Sequence, residues 1–83
     1  MQITIKLYAT LGDYLPPGSK NNRVAVDIAD YATVTAALAP FALPPKLTHL
    51  VLVNGVYVPP NERATTRLKP GDTLAVWPPI AGG

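Results

Sequence analysis

Leu50-Val51-Leu52-Val53-Asn54-Gly55-Val56-Tyr57-Val58 is the stretch that decides the fold. Four apolar residues run into Asn54-Gly55, and three residues of strand type run out. Both central residues of a type I′ turn need φ > 0, which Asn and Gly adopt most readily, so the pair predicts a two-residue β-hairpin. On the return strand Val56 and Val58 take one face, the core side, and Tyr57 takes the other. Pro59-Pro60 ends the ladder because proline has no amide to donate, and residues 61 to 67, polar and without a period, read as loop.

Working outward toward the C-terminus, Lys69-Pro70-Gly71-Asp72 fits a type II turn, with Pro at the second position and Gly at the third. A strand follows over Thr73 to Trp77. Leu74 and Val76 face one side, Thr73, Ala75 and Trp77 face the other, and Pro78-Pro79 stops it. Toward the N-terminus, Pro44-Pro45 excludes regular structure up to Leu47. Thr33 suits a helix N-cap, and Val34, Ala37, Leu38 and Phe41 fall at i, i+3, i+4 and i+7, one apolar stripe that Pro40 should stop or bend near Ala39. At the start of the chain, residues 3 to 8 alternate, with Ile3, Ile5 and Leu7 on one face and Thr4, Lys6 and Tyr8 on the other. Leu11 to Asn22, rich in Gly, Pro and Asn, reads as irregular loop, and Val24, Val26 and Ile28 mark a second strand pairing antiparallel with the first. The order strand, strand, helix, strand, strand, strand is an α+β pattern, one helix packed across a mixed sheet of about five strands.

The 83 residues make one small domain, spanning 1–83. Charged residues are 14% and hydrophobic residues 48%, which argues against disorder. No cysteine and a single histidine, His49, leave no disulfide framework and no metal site. The N-terminal stretch alternates and lacks the apolar run of a signal or membrane span, so a soluble cytoplasmic protein without a membrane partner is expected. Net charge is +2, with the seven basic residues scattered along the sequence, so no nucleic-acid partner is expected. The catalytic inventory is thin. Ser19 and His49 have no sequence reason to meet, and the carboxylate pairs Asp27 with Asp30 and Asp72 with Glu62 read as solvated surface.

Two features go beyond a generic domain. By strand parity Tyr8, Tyr57 and Trp77 lie opposite the core set, on the open face of the sheet, unless loop 10–22 or 59–67 covers them. And the sequence closes on Pro78-Pro79-Ile80-Ala81-Gly82-Gly83, of which residues 79–83 read as a flexible C-terminal tail able to extend on the order of 17 Å. Two terminal glycines carry no side chain to hinder entry into a narrow cleft.

The hairpin Val53-Asn54-Gly55, the run Leu68-Lys69-Pro70-Gly71-Asp72-Thr73 and the ending Trp77-Pro78-Pro79-Ile80-Ala81-Gly82-Gly83 together resemble the ubiquitin-like (β-grasp) sulfur carriers, the molybdopterin synthase small subunit and the thiamine sulfur carrier (MoaD/ThiS). The ending is closer to the molybdopterin branch. The resemblance implies a β-grasp fold and a carrier with no catalytic residues of its own, one whose relatives include the small subunit of molybdopterin synthase. It implies that an E1-like adenylyltransferase uses ATP to activate the Gly83 carboxylate, which then becomes a thiocarboxylate. The sulfur goes to the molybdopterin synthase large subunit or another sulfur-accepting enzyme. Gly82 would give slimness beside the reacting Gly83, and Tyr8, Tyr57, Trp77, Pro78, Pro79 and Ile80 would contact partners. No bound cofactor is implied, ATP being used by the partner. A thiamine or other thio-acid pathway, or a ubiquitin-like modifier or binding module, is the alternative. The short, alanine-rich helix with Pro40 and the weakly basic charge depart from many relatives.

Overall fold

The computed structural model describes residues 1–79. Period-2 alternation gives β1 (Gln2–Leu7), in which Ile3, Ile5 and Leu7 are buried. β2 (Arg23–Asp27) returns antiparallel, with Ile3 opposite Val26 and Ile5 opposite Val24. The chain crosses the sheet through α1 (Val34–Leu38), then forms β3 (Leu50–Val53), β4 (Val56–Tyr57) and β5 (Thr73–Trp77). The five-stranded sheet runs β2-β1-β5-β3-β4. β5 lies in its middle, parallel to β1 and antiparallel to β3, so the sheet is mixed and its last strand is among its best covered, with Leu74 and Val76 fully buried.

α1 has only five residues, too few to persist on helix propensity in water. What holds it is its N-cap and its packing. The Thr33 hydroxyl accepts the Ala36 amide at 3.1 Å, and Val34, Ala37 and Leu38 are buried in the core with Ile3, Ile5 and Leu74. Pro40 falls in a 3-10 turn, Ala39–Phe41, which ends at Ala42 in the left-handed region (φ 52°). The stop near Ala39 is thus where proline chemistry places it.

Loops supply core as well. Ala9–Tyr14, expected to be irregular from Leu11 onward, is a 3-10 turn that buries Leu11 completely, and Leu68 is buried just before the Lys69–Asp72 turn. A further 3-10 turn, Pro60–Glu62, opens the stretch expected to be plain loop. Val56 departs from expectation. Its parity is that of the core side, yet it is 67% exposed, because β4 is the outermost strand and Val56 stands at the turn, outside the core cluster.

Both turns take the predicted form, and they are joined. Asn54 and Gly55 sit at φ 50° and 83°, and Gly71 at φ 82° closes a bond from the Asp72 amide to the Lys69 carbonyl at 3.1 Å. Asn54 Nδ2 donates to Asp72 Oδ1 at 2.8 Å, Asn54 Oδ1 accepts the Thr73 amide at 2.8 Å, and Asp72 Oδ2 accepts the Lys69 amide at 2.8 Å. The two turn motifs form one polar knot at one end of the sheet.

At the other end of β3, Arg63 does a similar service. Its Nε donates to the Val58 carbonyl at 3.1 Å, Nη1 to Thr48 at 2.9 Å and Nη2 to His49 at 2.9 Å. One guanidinium therefore ties the segment entering β3 to the segment leaving β4. Arg63→Met keeps the stem and removes all three donors; unfolding free energy should fall by about 2 kcal/mol in urea titrations. A loss below about 0.5 kcal/mol would make Arg63 an ordinary surface side chain.

Candidate functional site

Pairing register builds the open face row by row. Antiparallel partners share a face, so Tyr57 on β4 stands beside Leu52 on β3, and Leu52 stands beside Ala75 on β5. Across the parallel pair Ala75 neighbours Lys6, and Lys6 neighbours Arg23 on β2. The next row holds Leu50 opposite Trp77. Tyr8 completes it, one residue past β1, its amide donating to the Val76 carbonyl at 3.1 Å. The Tyr8 and Trp77 rings stack at 4.3 Å between centroids and 4° between planes.

Tyr8, Tyr57 and Trp77 thus stand on one face, and neither loop hides them fully: Tyr57 is 50% exposed and the stacked pair is half-buried. Tyr57 is separated from the stacked pair by Leu50 and Leu52, which are half-buried on the same face. Those leucines were legible only as an apolar run, without a face. The Asn54-Gly55 turn carries the missing signal, since a two-residue loop pairs Val53 with Val56 and hence Leu52 with Tyr57. The result is a contiguous apolar strip of aromatic and leucine side chains, the composition that anchors protein partners.

The strip adjoins the root of the C-terminal segment. The Trp77 carbonyl accepts the His49 amide at 3.2 Å, the last bond of the ladder. Pro78 follows half-buried and Pro79 exposed. Ile80, Gly82 and Gly83, expected to contact a partner or to react, lie outside the described residues.

Catalytic chemistry is sparse among the described residues. Ser19 Oγ donates to the Pro16 carbonyl at 2.8 Å, and no hydrogen bond joins it to His49. Asp30 pairs with the Met1 ammonium at 3.3 Å, and Asp72 is held in the turn knot. No group of three or more His, Asp or Glu among the described residues is placed to hold a metal ion. No helix among them is long and apolar enough to cross a membrane. What the described residues offer is an apolar strip that runs to Trp77 and the half-buried Pro78.

The ThiS family model matches residues 6–83, from Lys6 near the end of β1 through Gly83. The chain belongs to the ThiS family. Among solved structures, this ThiS-family chain is similar to SAMP1 from Haloferax volcanii, at 28% identity and TM-score 0.72 over 100% of both chains. It is also similar to the thiamine biosynthesis protein ThiS from Geobacter metallireducens, at 20% identity and TM-score 0.66 over 100% of both. A third likeness is to a chain of the complex of subunits 1 and 2 of molybdopterin-converting factor from Helicobacter pylori 26695, at 16% identity and TM-score 0.63, again over 100% of both. The last two speak for the fold alone, a β-grasp. No curated protein matches the sequence.

Proposed function

We propose that this ThiS-family protein carries sulfur on its C-terminal glycine. The Gly83 carboxylate would attack the α-phosphorus of ATP in an E1-like enzyme and expel pyrophosphate, and a hydrosulfide equivalent would then displace AMP to leave a thiocarboxylate. The chemistry requires activation, because a free carboxylate is ionised at neutral pH and unreactive toward nucleophiles. The observation that carries this reading is the family match, which spans residues 6–83 and so includes Gly82-Gly83. The apolar strip beside Trp77 supports it, since a partner seated there would receive the segment that leaves β5. Gly83 is the reacting residue and Gly82 its slim neighbour. Tyr8, Tyr57 and Trp77 dock the domain, and Pro78, Pro79 and Ile80 lead the chain into the partner. The domain contributes no catalytic residue and binds no cofactor, ATP belonging to the activating enzyme.

Molybdopterin synthesis is the pathway this reading puts first, on the aromatic-Pro-Pro and Gly-Gly ending of the sequence. The sulfur acceptor would then be the large subunit of molybdopterin synthase. The likeness to SAMP1 and to a structure of the Haloferax volcanii small archaeal modifier protein 1, at 26% identity, favours a second reading in which the same adenylate passes Gly83 to a lysine of another protein.

Incubation with the E1-like enzymes of the same genome, ATP and a sulfur source tests the proposal. Intact-protein mass spectrometry should show one oxygen-to-sulfur exchange, placed at Gly83 by fragmentation. Gly83 found joined to lysines in cell extracts, without that exchange, would select the modifier. An unchanged mass with every activating enzyme would leave only a binding module.

A further inference from the structure

The β1-β2 side of the open face carries an unusual charge arrangement. Lys6 and Arg23 are directly opposite on β1 and β2, so two cations share one face at cross-strand distance. Such like-charge pairs destabilise a sheet. Among the described residues no carboxylate lies within ion-pair distance of either; the only ion pair there joins Asp30 to Met1. Lys20 adds a third cation at the same corner, its carbonyl accepting the Arg23 amide at 3.1 Å. Asp27, the acid on this face of β2, stands at its far end opposite Gln2, with the Thr4–Ala25 pair between.

Position gives the arrangement its meaning. Lys6 neighbours Ala75 in the row that continues through Leu52 to Tyr57, and it precedes Tyr8 of the stacked pair by two residues on the same face. One face of the sheet therefore has an apolar part over β5-β3-β4 that reaches Tyr8, and a cationic border at Lys6 and Arg23 on β1-β2. A cation pair set opposite itself costs the isolated domain stability and gains only when a counter-charge arrives.

We propose that the partner acting on the C-terminal segment presents carboxylates opposite Lys6 and Arg23, beside an apolar patch that covers Tyr8, Leu52, Tyr57 and Trp77. Lys6 and Arg23 are specificity determinants: they set the orientation of docking and reject partners with a neutral or basic face. The inference rests on the carrier reading only for the choice of partner, the activating enzyme. A phosphate backbone is the poorer match, because the cations are grouped at one corner against an apolar strip instead of tracking along a groove.

Two measurements test this. With the protein alone, Lys6→Gln should raise the melting temperature by about 2 °C through relief of the like-charge contact; a fall would contradict the uncompensated pair. With each purified E1-like enzyme of the genome, binding is titrated separately from ATP-dependent adenylation. Wild-type binding should weaken about tenfold between about 0.05 M and about 0.5 M sodium chloride. Lys6→Glu/Arg23→Glu should bind about fiftyfold more weakly at low salt, and its affinity should no longer fall but rise as salt screens the repulsion. Adenylation with unchanged affinity in the double variant overturns this inference and leaves the carrier function standing. Charge-dependent binding without adenylation keeps the inference and removes the function. Absence of binding to all these enzymes, or tighter binding to a single-stranded RNA oligonucleotide, overturns the inference.

Discussion

Trp77→Ala should weaken docking to the activating enzyme about thirtyfold, equivalent to about 2 kcal/mol, while the domain remains folded. Trp77 is on the open face at the end of β5, whereas the core side of that strand is Leu74 and Val76, both fully buried. Truncation removes the 4.3 Å stack on Tyr8, a contact on the order of 1 kcal/mol, and leaves the bond from the His49 amide to the Trp77 carbonyl in place. Stability should therefore fall modestly. Docking loses more, because the indole and the Tyr8 ring it holds flat are both withdrawn from the centre of the strip, beside Leu50. Trp77→Phe, which can still stack, should recover most of the affinity. Calorimetric titration with the enzyme, with far-ultraviolet circular dichroism for folding, decides it. Unfolding of Trp77→Ala, or an unchanged affinity, removes Trp77 from the docking face.

What could be read from the sequence was whatever local chemistry determines. Asn54-Gly55 needs a left-handed backbone and takes it, Thr33 caps the helix it precedes, and strand parity puts Tyr8, Tyr57 and Trp77 on one face. Parity tells faces, however, and not neighbours. That β5 inserts between β1 and β3, bringing Trp77 onto Tyr8 and Lys6 beside Ala75, depends on long-range pairing that no short pattern encodes. The seven basic residues look scattered in the sequence, and antiparallel register nevertheless puts Lys6 against Arg23. Leu11 and Leu68 are single apolar residues in aperiodic segments, so nothing local separates them from exposed leucines. Arg63 gave no signal either, because its acceptors are backbone carbonyls, which every residue has. Val56 shows the converse error: its parity was right, but an edge position left that side uncovered.

Deletion of Gly83 should abolish adenylation while docking survives. Under the proposed function the domain is held by its sheet face, and that face, from Tyr57 across to Arg23 with Tyr8 and Trp77 beside it, is built by strand pairing far in sequence from the last residue. The reacting carboxylate moves back along the chain by up to about 3.6 Å. Reacting atoms must approach to about 3 to 3.5 Å in line, so a displacement of that size forfeits the attack on the α-phosphorus. Adding a residue in place of removing one should fail for the same reason. Gly82→Val separates reach from slimness: the carboxylate keeps its distance from the domain, but a β-branched side chain stiffens and widens the chain beside it, so the rate should fall without vanishing unless the cleft is tight. Pyrophosphate release measures adenylation and calorimetric titration measures docking, on the same three proteins. Full adenylation of the Gly83 deletion would mean that the activated carboxylate is not placed by chain length, and Gly83 would lose its role as the residue that reacts.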